Sequence, residues 1–142
     1  MKTLTSTILA VLLAVVYFQA VAQDERGLGY EPATVELEGR LVIQNEYGPP
    51  NYGETPKTDR KERVPVLVLA KPISVRGIPG HEYNATSVED TRRIQLVFLD
   101  NPPAYKQLIG KKIIVKGSLF HAHTGHHYTP VLIIVSSLES KK

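Results

Sequence analysis

Apolar and polar residues alternate with a period of two through most of the chain beyond residue 34, and that pattern confines the fold to sheets. In the first such segment Val35, Leu37, Leu41 and Ile43 share one face against Glu36, Glu38 and Arg40, with Gly39 in the middle. A glycine inside a strand marks a bulge or bend, as a curved sheet requires. The second segment, 64–73, is almost continuously apolar between Pro65 and Pro72, the pattern of a wall buried on both faces. The third sets Ile94, Leu96 and Phe98 against Arg93, Gln95 and Val97 and stops at Asp100-Asn101. The fourth, 112–123, sets Ile113, Val115 and Leu119 against Lys116 and Ser118 and is broken by Gly117. The fifth spans 127–138, with Val131 to Val135 unbroken apolar. Between the third and fourth, Asn101 as cap, Pro102 and Pro103 in the first turn and Gly110 after Ile109 predict one short helix.

Three strands, a short helix and two more strands is the order of the oligonucleotide/oligosaccharide-binding barrel. The run Gly110-Lys111-Lys112-Ile113-Ile114-Val115-Lys116-Gly117 resembles the helix-end and fourth-strand signature of that superfamily. The expectation is an all-β domain with one short helix over residues 35–139, a five-stranded Greek-key barrel of this kind.

The N-terminus reads differently. Lys2 precedes an apolar run from Ile8 to Phe18, which ends in Ala20-Val21-Ala22. A basic start, a short apolar stretch and a small-residue cleavage pattern make residues 1–22 a signal peptide cut after Ala22. The run is shorter than the ~20 residues a spanning helix needs. Residues 23–34 are then a flexible lead-in to the domain. The chain remaining after cleavage suffices for one domain and not for two. The absence of cysteine excludes a disulfide framework and a lipid-modified cysteine anchor. With 17 basic and 14 acidic residues there is no strong electrostatic case for nucleic acid or an anionic membrane.

The block from Gly117 to Leu132, Gly-Ser-Leu-Phe-His-Ala-His-Thr-Gly-His-His-Tyr-Thr-Pro-Val-Leu, is similar to the C-terminal block of an uncharacterised family of small exported bacterial proteins. Leu67-Val68-Leu69-Ala70-Lys71-Pro72-Ile73 fits that family's upstream L-x-L-x-x-P-I pattern. The resemblance implies a bacterial protein, periplasmic or secreted, and carries no activity with it.

Four of the five histidines fall between residues 121 and 127. A two-residue turn at Thr124-Gly125 would pair His123 with His126, Ala122 with His127 and His121 with Tyr128. His121, His123, His126 and Tyr128 would then share one face of a ribbon, with His127 on the other. Three imidazoles at cross-strand spacing of ~5 Å suit zinc, copper or nickel, with water or a carboxylate completing the shell. The competing readings are rings that cap the end of the barrel or contact a ligand, and a cluster whose protonation responds to pH.

Two loops add candidates. The connection from Gln44 to Arg63 is long and carries Tyr47 and Tyr52, in the place where such barrels commonly grip ligands. Its charge run, Lys57 to Arg63, reads as a solvated face. The loop 77–90 holds His81, and Asn84-Ala85-Thr86 matches a glycosylation sequon that a bacterium would not use. No nucleophile elbow, zinc-protease helix, phosphate loop or paired-carboxylate pattern is present, which argues against an enzyme. The leading expectation is a non-enzymatic binding module for a small ligand, a metal ion or an envelope protein. An inhibitor or immunity role and a metal-dependent enzyme using His121, His123 and His126 are the alternatives.

Overall fold

The computed structural model describes residues 27–100 and 104–142. The expected signal peptide and the helix positions Asn101, Pro102 and Pro103 lie outside the described residues.

Six strands form one sheet: β1 (Leu28–Gly29), β2 (Thr34–Tyr47), β3 (Lys61–Arg76), β4 (Val88–Val97), β5 (Lys112–His121) and β6 (Val131–Ser140). Their order is β1-β3-β2-β5-β6-β4, with an additional pairing of β3 with β4. All pairings are antiparallel except β1 with β3 and β4 with β6. The short helix is a four-residue 3-10 turn, Tyr105–Leu108, within the expected stretch. It is held by Gly110 N–H donating to Leu41 O at 2.7 Å and Leu41 N–H to Lys111 O at 3.0 Å.

One face of each long strand supplies the core, in which Leu41, Leu67, Ile94, Ile113, Val115, Leu119, Val131 and Ile133 are fully buried. Burying side chains of this size stabilises the fold by about 1.5–3 kcal/mol each. β1 and Tyr30 fall within the stretch 23–34 expected to be flexible. Tyr30 is 2 % exposed, and its hydroxyl donates to Thr86 O at 3.1 Å. Leu28 pairs with Val75, in the edge position that opens where β2 leaves β3 beyond Gly39 and Leu69.

Of the two mid-strand glycines expected at a bulge or bend, Gly117 adjoins a register shift and Gly39 does not, and both sit where the backbones approach closely. A Cβ on Gly39 would lie 2.4 Å from Val68 O, and one on Gly117 2.0 Å from Ile134 O, at the register shift between β5 and β6.

The ladder of β2 and β3 runs on to Tyr47 and Lys61, so the connection expected over 44–63 is a loop only over 48–60. Alternation fades there because the side chains of the extension are exposed or only half-buried, while the backbone hydrogen bonds continue. The opposite correction applies at the C-terminal hairpin. β5 ends at His121 and pairs it with Val131, leaving a loop of residues 122–130.

Candidate functional site

The side of the sheet turned away from the core would face water if the 122–130 loop did not cover it. Val66 sits opposite Gln95, Gln95 opposite Leu132, and Leu132 opposite Phe120, a row across β3, β4, β6 and β5. All four are buried, yet none belongs to the main core. The loop fastens to this row through Gln95, whose side-chain amide donates to His126 O at 3.0 Å and accepts from Tyr128 N–H at 2.8 Å. Thr129 Oγ1 accepts from Gln95 N–H at 2.9 Å and donates to Val131 O at 2.7 Å. Sequence patterning marks Gln95 as a solvent-facing residue. Only the returning loop makes it a buried anchor.

Within the loop the turn centres on Gly125-His126, one residue beyond the expected Thr-Gly pair, and the ladder stops at His121 and Val131. His127 N–H donates to Thr124 O at 3.1 Å, and Ala122 N–H to Pro130 O at 3.0 Å. The expected pairing of His121 with Tyr128 is replaced by one with Val131, and His121, His123 and His126 turn to different partners. His121 Nδ1 bonds to Ala122 O at 2.8 Å, and His123 Nδ1 to His121 O at 2.9 Å. His126 Nδ1 faces Glu62 Oε2 at 3.4 Å. His127 Nδ1 accepts from His123 N–H at 3.0 Å and Thr124 N–H at 3.2 Å, so its proton resides on Nε2. The metal centre expected at His121, His123 and His126 finds no support in this arrangement. Among the described residues no group of three or more His, Cys, Asp or Glu is placed to hold a metal ion. The physical reason is that residues 122–130 leave the ladder and turn at Gly125-His126, which sends the rings to different neighbours.

What the loop does bring together lies on its two flanks. On one flank it meets the 48–60 loop. Tyr52 and His126 contact edge to face at 5.7 Å, and the Tyr52 ring packs over Gly125, where a Cβ would come within 2.7 Å of it. Tyr128 Oη donates to Glu62 Oε2 at 2.8 Å and lies 3.4 Å from Tyr47 O. That bond from Tyr128, with His126 and Arg60 beside the carboxylate, outweighs partial burial and holds the Glu62 pKa below its usual value. Burial, then the bond to Glu62, pushes the Tyr128 phenol up, so it stays a donor at any physiological pH. Glu62 lies in the charge run expected to be solvated, and no feature of the sequence distinguishes it from its neighbours.

The 48–60 loop is itself organised by one carboxylate. Asp59, 7 % exposed, accepts from the N–H groups of Asn51, Gly53 and Thr55 at 2.9, 2.7 and 3.2 Å. Desolvation raises its pKa, but these donors and the Thr55 hydroxyl more than offset that and leave it lowered.

Residues 93–139 match the family described as a domain of unknown function (DUF4431). No curated protein and no solved structure matches the chain. The matched segment contains the whole 122–130 loop and its anchor Gln95. Its partners Tyr47, Tyr52 and Glu62 lie before it.

On the other flank the loop meets the connection between β3 and β4. Tyr83 stacks on His123 at 4.5 Å, with His81 against Tyr83 at 4.9 Å and His127 against His123 at 4.6 Å. His81 thus reaches the cluster through Tyr83, its Nδ1 accepting from Asn84 N–H at 3.2 Å. Asn84, fully buried, accepts from His121 N–H through Oδ1 at 2.8 Å. Its side chain is a structural clasp between that connection and the end of β5, inaccessible for modification in the folded state.

Proposed function

We propose that the protein is an exported, non-catalytic binding module on an oligonucleotide/oligosaccharide-binding type of barrel, and that it takes a hydroxyl-rich glycan of the cell envelope between the 48–60 and 122–130 loops. The barrel reading is supported by the pairing order: β2 with β3, β3 with β4, β4 in parallel with β6, β6 with β5, and β5 with β2. Each of these five strands has two neighbours, which is how such a sheet removes its edges.

The observation that carries the ligand reading is the corner itself. Tyr47 and Tyr52 expose 37 % and 43 % of their surface beside Glu62, His126 and Tyr128. Flat rings accept the apolar face of a pyranose, and the adjoining carboxylate, imidazole and phenol accept and donate to its hydroxyl edge. Glu62 lies opposite Glu46 across the β2–β3 ladder, yet its lowered pKa runs against the raised value a general acid needs. That direction argues against Glu62 as a general acid.

Calorimetric titration of the purified protein with chitin-derived and peptidoglycan-derived oligosaccharides tests the reading. Saturable heat that disappears in Tyr52→Ala is the expected result. Absence of heat with every oligosaccharide, together with unmoved amide signals in both loops, refutes it. Export is tested separately by sequencing the mature N-terminus, expected at Gln23.

A further inference from the structure

A second region, away from the two loops, carries a different chemistry. The core-facing side of β2 and β3 continues past Leu41 to Ile43, which lies opposite Pro65, and to Arg63, opposite Asn45. The 3-10 turn closes over this end. Between them lies a cavity of about 300 Å³ lined by Ile43, Arg63, Tyr105, Lys106 and Ile109. That volume is at the lower end of the range for small-molecule sites.

Three features define what would fit. Part of the wall is apolar and fixed, formed by Ile43, Ile109 and Tyr105: Tyr105 stacks on Phe98 at 5.0 Å with 9° between the rings, and Gly110 is tied to β2 by Arg40 and by Leu41 O. Ile109 remains 37 % exposed at the lining, one of four large hydrophobic residues so exposed among the described residues. The only charged lining groups are two cations, and among the described residues neither Arg63 nor Lys106 has an ion-pair partner. A guanidinium and an ammonium beside two isoleucines and a tyrosine ring favour an anion that also carries apolar surface.

We infer that this cavity binds a small organic anion, a phosphate or carboxylate carried on a compact apolar group. The Arg63 fork pairs with two anionic oxygens and Lys106 supplies a second positive charge. Ile43, Ile109 and the Tyr105 ring cover the apolar group. The inference is independent of the glycan reading, because no residue of the loop corner lines this cavity.

Phenyl phosphate is the probe, titrated into isotopically labelled protein, with inorganic phosphate and phenol as controls. The expected result is saturable movement of the Ile43, Lys106 and Ile109 amides with phenyl phosphate. Loss of one charge-assisted contact weakens binding roughly tenfold, expected in both Arg63→Gln and Lys106→Gln. Tyr52→Ala should leave the titration unchanged. Movement confined to the 48–60 and 122–130 loops, equal affinity for inorganic phosphate, or undiminished affinity in both glutamine variants overturns the inference. So does a flat titration at millimolar probe.

Discussion

The Tyr128 hydroxyl donates to the Glu62 carboxylate at 2.8 Å, across 66 positions of sequence, and so ties the end of the 122–130 loop to the start of β3. A hydrogen bond to a charged, partly buried acceptor is worth about 1.5–3 kcal/mol, less where water competes. Tyr128→Phe is expected to lower stability by about 1 kcal/mol and to return the Glu62 pKa towards its ordinary value. Denaturant unfolding measures the first and carbon-detected titration of the carboxylate the second. An unshifted Glu62 titration in the variant would mean that the bond does not govern the carboxylate.

The His127 ring gives the loop a dependence on pH. Burial first, and then the neighbouring imidazoles of His123 and His126, hold its pKa below the ordinary value. The titratable groups facing it are those two rings, with Glu62 reached through His126; the Phe120 ring packs against it at 5.3 Å. A lowered folded pKa means that the unfolded chain binds the proton more readily, so stability falls as pH drops. The contribution is whole above the unfolded pKa of about 6.5 and is lost as pH descends through the lower folded value. Protonation also places a proton on Nδ1, where it meets the N–H groups of His123 and Thr124. A fall in the protection of those two amides, relative to intrinsic exchange at each pH, is expected between pH 7 and 5, and that protection should be independent of pH in His127→Ala.

Asp59 is the corresponding fastener of the opposite loop. With three backbone donors on one carboxylate, Asp59→Ala leaves the N–H groups of Asn51, Gly53 and Thr55 without their acceptor. The expected outcome is rapid hydrogen exchange at all three and loss of the Tyr52 contact with His126, read as a shift of the His126 ring signals. The lowered carboxyl pKa gives the same effect in wild type at acid pH. The fastener is present above the ordinary carboxylate range and lost as pH falls through the folded value. An intact loop in the alanine variant would show that the turn sequence alone holds it.

The strands were legible in the sequence because their apolar residues repeat at the period of the pleat, and Leu41, Ile94, Ile113 and Ile133 each fall in the core as that period requires. The ends of the strands were not, since Gln44 to Tyr47 and Lys61 to Arg63 pair through backbone groups that any residue carries. The candidate contacts were legible in part. Tyr47, Tyr52, His126 and Tyr128 meet at one corner, and His81 joins the cluster by way of Tyr83. The convergence of His121, His123 and His126 depended on a turn type, and Thr-Gly does not specify one as firmly as Asn-Gly does. Glu62, Gln95 and Asn84 acquire their roles from residues 66, 31 and 37 positions away, which no local pattern encodes.

Gly117 joins the bend in the sheet to the position of the 122–130 loop. It adjoins the register shift in β5, with Ile134 O 2.0 Å from the place a Cβ would occupy and the Ile133 side chain at 2.9 Å. Both are rigid neighbours, one a strand backbone and the other a fully buried side chain. Gly117→Ala must therefore push β6 away from β5, and overpacking of this kind costs about 1–3 kcal/mol. The displacement acts upstream of His121, so the Asn84 bond to His121 N–H should weaken along with global stability. Gly80 is the control, because no atom lies within 4 Å of its Cβ position and only its φ of 79° opposes substitution. Gly80→Ala should then cost less than Gly117→Ala and leave the His121 amide signal in place. Equal losses in the two variants would place the effect in backbone freedom rather than in the contact between strands.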